Sequence, residues 1–128
     1  MQQLLSAIEH CHLLGVMHRD IKASNILVNN EGVLKLADFG LANILRPKHK
    51  QILTSRVVTL WYRPPELILG STSYGVSVDL WSVGCVFAEL LIGKPLFKGR
   101  TEVTTLLVNL CFSDFIYSFI LTHERSRC

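Results

Sequence analysis

The sequence predicts a mainly α fold with one small β-hairpin, an α+β class with little strand. Two segments of helical period and one pair of short β-rich runs set that class. From Met1 to Leu14, Leu4, Leu5, Ile8 and Cys11 recur at three- and four-residue steps, and Gly15 supplies a stop. Val16 to Asn25 reads as a loop. Ile26-Leu27-Val28 and Val33-Leu34-Lys35-Leu36 read as strands. The Asn29-Asn30-Glu31-Gly32 run between them suits a hairpin turn, because Asn and Gly tolerate positive φ. From Asp38 to Leu60 no period holds, and so long a loop in a compact domain is a functional or a disordered segment. Arg63-Pro64-Pro65-Glu66 closes it, with Pro65 fit to open a short helix.

Val78 to Ile92 is the second strong helix. Leu80, Trp81, Val83, Gly84, Val86, Phe87, Leu90 and Leu91 leave it almost no polar face. A helix apolar nearly all round belongs inside a large core, and this chain by itself is hardly large enough to bury it. Thr101 to Leu110 reads as a third, shorter helix with Thr101 as its cap. Residues 1–110 therefore read as one domain, and 111–128 as a tail outside its pattern.

At 49 % apolar residues the chain is greasy for one in which 18 % are charged. A spanning helix would need roughly 18–20 apolar residues, and no run approaches that. Phe112 to Leu121 comes nearest and is broken by Asp114 and two serines. Met1-Gln2-Gln3 lacks the basic start of a secretory signal, so no membrane partner is expected. A core whose partner surfaces lie outside the sequence accounts for the composition better. The net charge of +3 is scattered, apart from Arg46-Pro47-Lys48-His49-Lys50. That run is too short for a basic face and reads as a solvated loop, so no direct nucleic-acid partner is expected. Cys11, Cys85, Cys111 and Cys128 show no CxxC spacing, which points to a reduced, intracellular setting. His10 and His12 flank Cys11, but positions two apart on a helix diverge, so no metal site is expected there.

The chemistry lies in His18-Arg19-Asp20-Ile21-Lys22-Ala23-Ser24-Asn25 and in Asp38-Phe39-Gly40. Phosphoryl transfer needs an oriented hydroxyl, neutralised phosphoryl charge and hard oxygen ligands for magnesium. Asp20 suits the hydroxyl proton. Lys22, two residues on in an extended loop, returns to the same side with a positive charge. Asn25 offers an amide oxygen and Asp38 a carboxylate to the metal. The hairpin between them brings the two together.

With Val57-Val58-Thr59-Leu60-Trp61-Tyr62-Arg63-Pro64-Pro65-Glu66 following, the chain resembles the cyclin-dependent kinase group of serine/threonine protein kinases, and within it the plant-type cell-division-control-like kinases. The resemblance runs from Met1 to about Leu110. It implies a partial C-terminal lobe of the protein-kinase fold, with ATP and Mg2+ as cofactors. Asp20, Lys22 and Thr59 take the catalytic roles, Thr59 bonding both others. Lys22, Asn25, Leu27 and Asp38 face the nucleotide, and Asn25 and Asp38 hold the metal. Leu27 lies under the adenine ring, beside its plainer reading as strand core. Val57, Val58, Trp61 and Arg63 belong to the substrate pocket, which favours proline after the acceptor. His18 and Phe39 stack internally. Asp79 accepts backbone N–H groups from the His18-Arg19 turn, or caps the second helix. Thr54 aligns with the activating phosphosite, its phosphate paired with Arg19. There the sequence departs from the group, carrying Asn43 where an arginine is usual; Arg56 or Arg46 could substitute.

The resemblance further implies Ser-Pro or Thr-Pro protein substrates, a cyclin partner for a full-length member, and a nuclear or cytoplasmic location leaning to the nucleus. The Lys35-Leu36-Ala37-Asp38 and Pro64-Pro65-Glu66 variants lean toward kinases of the RNA polymerase tail. No G-x-G-x-x-G run occurs in the 128 residues, and 17 residues before His18 leave no room for a nucleotide-cradling lobe or a cyclin-binding helix. Glu66 also lacks its usual arginine partner, and a buried carboxylate so stranded costs about 3–5 kcal/mol. The expectation is a truncated piece, its tail from an altered frame or a retained intron. Three functions follow: an active proline-directed kinase, a non-catalytic fragment that binds partners, or a remnant with no function of its own. No phosphate transfer is expected from the isolated chain.

Overall fold

The computed structural model describes residues 1–45 and 52–111. Helix α1 spans Gln2–Leu13. It ends where Gly15, at φ 73°, takes a left-handed conformation that a side chain would resist. Its buried stripe is narrower than the spacing suggests: Leu4 and Ile8 are buried, Cys11 is half-buried and Leu5 is exposed.

Strand β1 is Val16–Met17, β2 Ile26–Val28, β3 Leu34–Leu36 and β4 Asn43–Ile44. The predicted hairpin is β2–β3, antiparallel in the register Ile26↔Leu36, Leu27↔Lys35, Val28↔Leu34. Asn29 shapes its turn, its Oδ1 accepting the N–H groups of Glu31 and Val33 at 3.1 and 2.8 Å. Gln3 of α1 fastens the hairpin, its amide donating to the Gly32 carbonyl and accepting the Leu34 N–H, both at 2.8 Å. The second pairing, β1 with β4, falls where the sequence reads as loop. Two-residue strands are too short to show an alternation. They are made by tertiary contact, and the Leu45 N–H extends the pair by donating to the Gly15 carbonyl at 2.7 Å. The basic run 46–50 and the tail from Phe112 lie outside the described residues.

Helix α2, Pro65–Ile68, opens on proline as predicted. Helix α3 spans Ser77–Ile92. Residues 102–111 are helical, here α4. Thr101 and Thr104 exchange backbone-to-hydroxyl bonds at the start of α4, at 3.1 and 3.2 Å, so Thr101 caps it.

The core gathers Leu4 and Ile8 of α1, Ile21, Val57 and Val58, and Val78, Val83 and Val86 of α3. Only one side of α3 is covered by the described residues. Leu80, Phe87, Leu90, Leu91 and Ile92 are exposed, in keeping with an apolar helix whose chain is too small to cover it. Its apolar circumference was legible; which part of it meets a neighbour is not a property of the helix. No helix among the described residues is long and apolar enough to cross a membrane.

Candidate active site

The site is hung from α3. Asp79, 1 % exposed, lies in the first turn of that helix. It accepts the His18 N–H on Oδ2 and the Arg19 N–H on Oδ1, both at 2.8 Å. Its alternative reading as a helix cap does not hold: the capping position is Val76, which has no side-chain cap. Arg19 sits at φ 64°, a costly region for a residue with a Cβ, and ionic hydrogen bonding from Asp79 holds it there. A third donor was missed from the sequence. The His12 imidazole lies with Nε2 at 2.8 Å from Asp79 Oδ2. The available signal was its place four residues beyond Ile8, on the buried stripe of α1.

The turn so held aims Asp20 inward. Its Oδ1 accepts the Thr59 hydroxyl at 3.0 Å, and its Oδ2 takes Lys22 Nζ at 3.0 Å and an Asn25 amide N–H at 3.1 Å. Lys22 Nζ also donates to Thr59 Oγ1 at 3.1 Å, closing a triangle. The Asn25 amide nitrogen donates a second bond, to the Asp20 carbonyl at 2.8 Å, so both its bonds serve Asp20. The Asn25 amide oxygen has no hydrogen-bond partner among the described residues. The β2–β3 ladder continues with the Ala37 N–H donating to the Asn25 carbonyl at 2.9 Å, which brings the Asp38 backbone next to Asn25. Asp38 is exposed, at φ 62°. Its Oδ1 accepts the Gly40 N–H at 3.2 Å, and a Cβ on Gly40 would stand only 3.1 Å from that oxygen. A free amide oxygen and an exposed carboxylate are hard donors, so the residues present fit a magnesium ion on this wall.

His18 is wholly buried. Its Nδ1 accepts the Asp20 N–H at 3.2 Å and its Nε2–H donates to the Ala37 carbonyl at 3.0 Å, which fixes the tautomer. Phe39 meets its ring edge-on, centroids 4.6 Å apart. Leu27 is exposed on the hairpin, which corrects its reading as strand core: Ile26, not Leu27, packs against the core.

On the far side of Thr59, Val57 and Val58 are buried. Val58 stands at φ 67°, a strained position for a β-branched residue. Arg63 Nε donates to the Val58 carbonyl at 3.1 Å, while Arg63 Nη1 pairs with Glu102 Oε1 at 2.9 Å. Trp61 Nε1–H donates to the Gly99 carbonyl at 3.1 Å. Glu66 is half-buried rather than buried, so water reaches it and the full penalty of a stranded carboxylate does not apply. Thr54 is exposed, and Arg19 makes no bond to its side chain. Arg46 lies outside the described residues.

A carboxylate clamped between a hydroxyl and an ammonium, one step from hard metal donors, is suited to presenting an alcohol to a phosphoryl group, the work of a phosphotransferase. The sequence pattern of the protein kinase domain matches residues 1–124. Cyclin-dependent kinase C-2 C of Arabidopsis thaliana is 72 % identical over 115 residues, which are 88 % of this chain and 18 % of that protein. Cyclin-dependent kinase C-1 of Oryza sativa subsp. japonica is 63 % identical over 102 residues, 80 % of this chain and 20 % of that one. Among solved structures, the yeast RNA Pol II CTD kinase CTDK-1 complex superposes with a TM-score of 0.78 at 46 % identity, over 82 % of this chain and 34 % of its own. The CAK complex from Chaetomium thermophilum bound to ATP-gamma-S gives 0.78 at 47 %, over 82 % and 32 %. The chain belongs to the protein kinase domain family, in its cyclin-dependent-kinase-like serine/threonine group. It spans about a fifth of the length of the curated relatives it matches.

Proposed function

We propose that residues 1–110 form the wall of a proline-directed serine/threonine kinase that orients the acceptor hydroxyl and holds the metal. The observation that carries this reading is the closed triangle of Asp20, Lys22 and Thr59. Asp20 accepts or orients the hydroxyl proton of a substrate serine or threonine. Thr59 keeps that hydroxyl beside Asp20. Lys22 sets its positive charge against the transferring group. The free amide oxygen of Asn25 and the Asp38 carboxylate would hold Mg2+, and Leu27 would offer an apolar contact to the nucleotide base. ATP and Mg2+, when bound, supply the γ-phosphoryl group and the neutralisation of its charge.

The preference for proline follows from Val58. Its carbonyl is taken by Arg63, so it has no free invitation for the N–H of the residue after the acceptor. Proline brings no N–H and loses nothing there, whereas any other residue strands a donor. The likeness to the yeast RNA Pol II CTD kinase complex favours the RNA polymerase tail as a substrate, and the likeness to cyclin-dependent kinases favours a cyclin partner for the longer protein. The 128 residues contain no glycine-rich phosphate loop. By itself this chain is therefore a non-catalytic fragment, because positioning supplies most of the rate in this reaction.

The test joins this chain to the segment that precedes the matched stretch in the 72 %-identical Arabidopsis relative. With its cyclin, the chimaera should transfer phosphate to a Ser-Pro peptide and at least about tenfold less to its Ser-Ala counterpart, the order expected for one stranded donor. The isolated chain should transfer none. A folded chimaera without transfer, or one indifferent to proline, contradicts the proposal.

A further inference from the structure

Thr54, the aligned phosphosite, has its neighbourhood tied down without any phosphate. Arg19 is buried, and among the described residues its guanidinium meets no carboxylate. It donates from Nε to the Leu41 carbonyl at 2.7 Å and from Nη1 to the Tyr74 hydroxyl at 3.1 Å. A phenol has one proton to give, and Tyr74 gives it to the Thr54 carbonyl. The three groups form a directed relay, from the guanidinium through the phenol to the backbone of the segment. Each bond in such a relay polarises the next. Beside it, the Leu53 N–H donates to the Thr72 carbonyl at 2.9 Å, and the Leu53 side chain is buried. Two hydrogen bonds to 72–74, one between backbones and one from the Tyr74 side chain, thus grip 53–54.

Among the described residues the phosphate route is thinner. Asn43, which stands where the family's second arginine is usual, makes no side-chain bond among the described residues, and Arg63 is spent on Val58 and Glu102. The Thr54 hydroxyl oxygen accepts the Arg56 N–H at 3.2 Å and faces solvent.

We infer that Tyr74 is a positioning residue, whose hydroxyl couples Arg19 to the Thr54 carbonyl and holds the substrate-side segment in place before any phosphorylation. The inference rests on reading Thr54 as the phosphosite. It makes the order of 53–54 in this chain depend on a phenol that no modification has to supply.

Amide hydrogen exchange of the 128-residue chain, read by NMR, tests it. The reporter is the Leu53 amide, and the control is the buried Thr105 amide, which donates within α4 to the Thr101 carbonyl. In Tyr74→Phe, which deletes only the hydroxyl, Leu53 should exchange about three- to tenfold faster, the size of one hydrogen bond, with Thr105 unchanged. In the wild-type chain carrying genetically encoded phosphothreonine at position 54, Leu53 exchange should stay within about twofold of the unmodified chain, less than one net hydrogen bond's worth. An unchanged Leu53 in Tyr74→Phe overturns the inference. So does equal acceleration of Leu53 and Thr105, which would make Tyr74 a general prop, and so does strong slowing of Leu53 by the phosphate. Exchange is read without ATP or substrate, so loss of this inference leaves the transfer proposal standing, and an inactive chimaera leaves this inference standing.

Discussion

At Asp79 two carboxylate oxygens meet three donors: the His18 and Arg19 backbone N–H groups and the His12 imidazole, each at 2.8 Å. Asp79→Asn keeps the shape but turns one acceptor into a donor that faces another donor. It should cost about 2–4 kcal/mol, measured by urea unfolding. His12→Ala should cost about 1–2 kcal/mol and His12→Gln less, because Gln can still donate to Asp79. A null effect of Asp79→Asn would detach the catalytic turn from α3. Residues at this scale were legible where they stood in a contiguous motif. Asp20, Lys22 and Asn25 announce themselves by spacing along one loop. His12 was marked only by its place on the buried stripe of α1, and its partner, 67 positions away, by nothing local. Arg63 was named with the substrate pocket, but its bond to the Val58 carbonyl was not foreseen, because it needs the strained turn to exist first.

The elements differ in how tightly each is specified. The β2–β3 hairpin was readable with its turn, since Asn29 and Gly32 act locally. The β1–β4 pair was not, since neither strand has a pattern of its own. Two glycines separate these cases by measurement. Gly32 lies at φ 77° with open space around it, so Gly32→Ala should cost only the backbone strain, about 1 kcal/mol. A Cβ on Gly99 would meet Thr105 Oγ1 at 2.1 Å and the Thr105 backbone nitrogen at 2.9 Å. Gly99→Ala should therefore cost more, upward of about 2 kcal/mol, by forcing α4 away from the loop that holds Trp61. Thermal melts of the two variants compare them directly. On α3, burial pushes the Cys85 thiol up to about 12, with a smaller push from Glu89. A folded value above the unfolded one of 9.0 means that stability from this group is complete below that value. It is lost as pH rises from there toward about 12. Cys85→Ala should flatten that alkaline decline. At pH 8 iodoacetamide should label the exposed Cys111 and spare Cys85 in the folded chain, as peptide mass spectrometry would show.

For the whole molecule, the fold class and the family were both open to the sequence, because the helices are strongly periodic and the motifs sit at fixed spacing. That the core is open was legible too, from the apolar composition; which residues face outward was not. Leu80, Phe87, Leu90 and Leu91 look like core from composition, yet they are exposed here, since burial depends on surfaces that a helix does not carry itself. Leu91→Lys should raise solubility and leave the melting temperature within about 1–2 °C, as an exposed substitution away from any packed feature does. The central claim is that Asp20 handles the acceptor hydroxyl within the triangle it forms with Lys22 and Thr59. The direct measurement is kcat of the chimaera on a Ser-Pro peptide, wild type against Asp20→Asn. A fall of about 10²–10⁴-fold in kcat, with KM for ATP nearly unchanged, is the predicted result. A variant that keeps the wild-type kcat would contradict it.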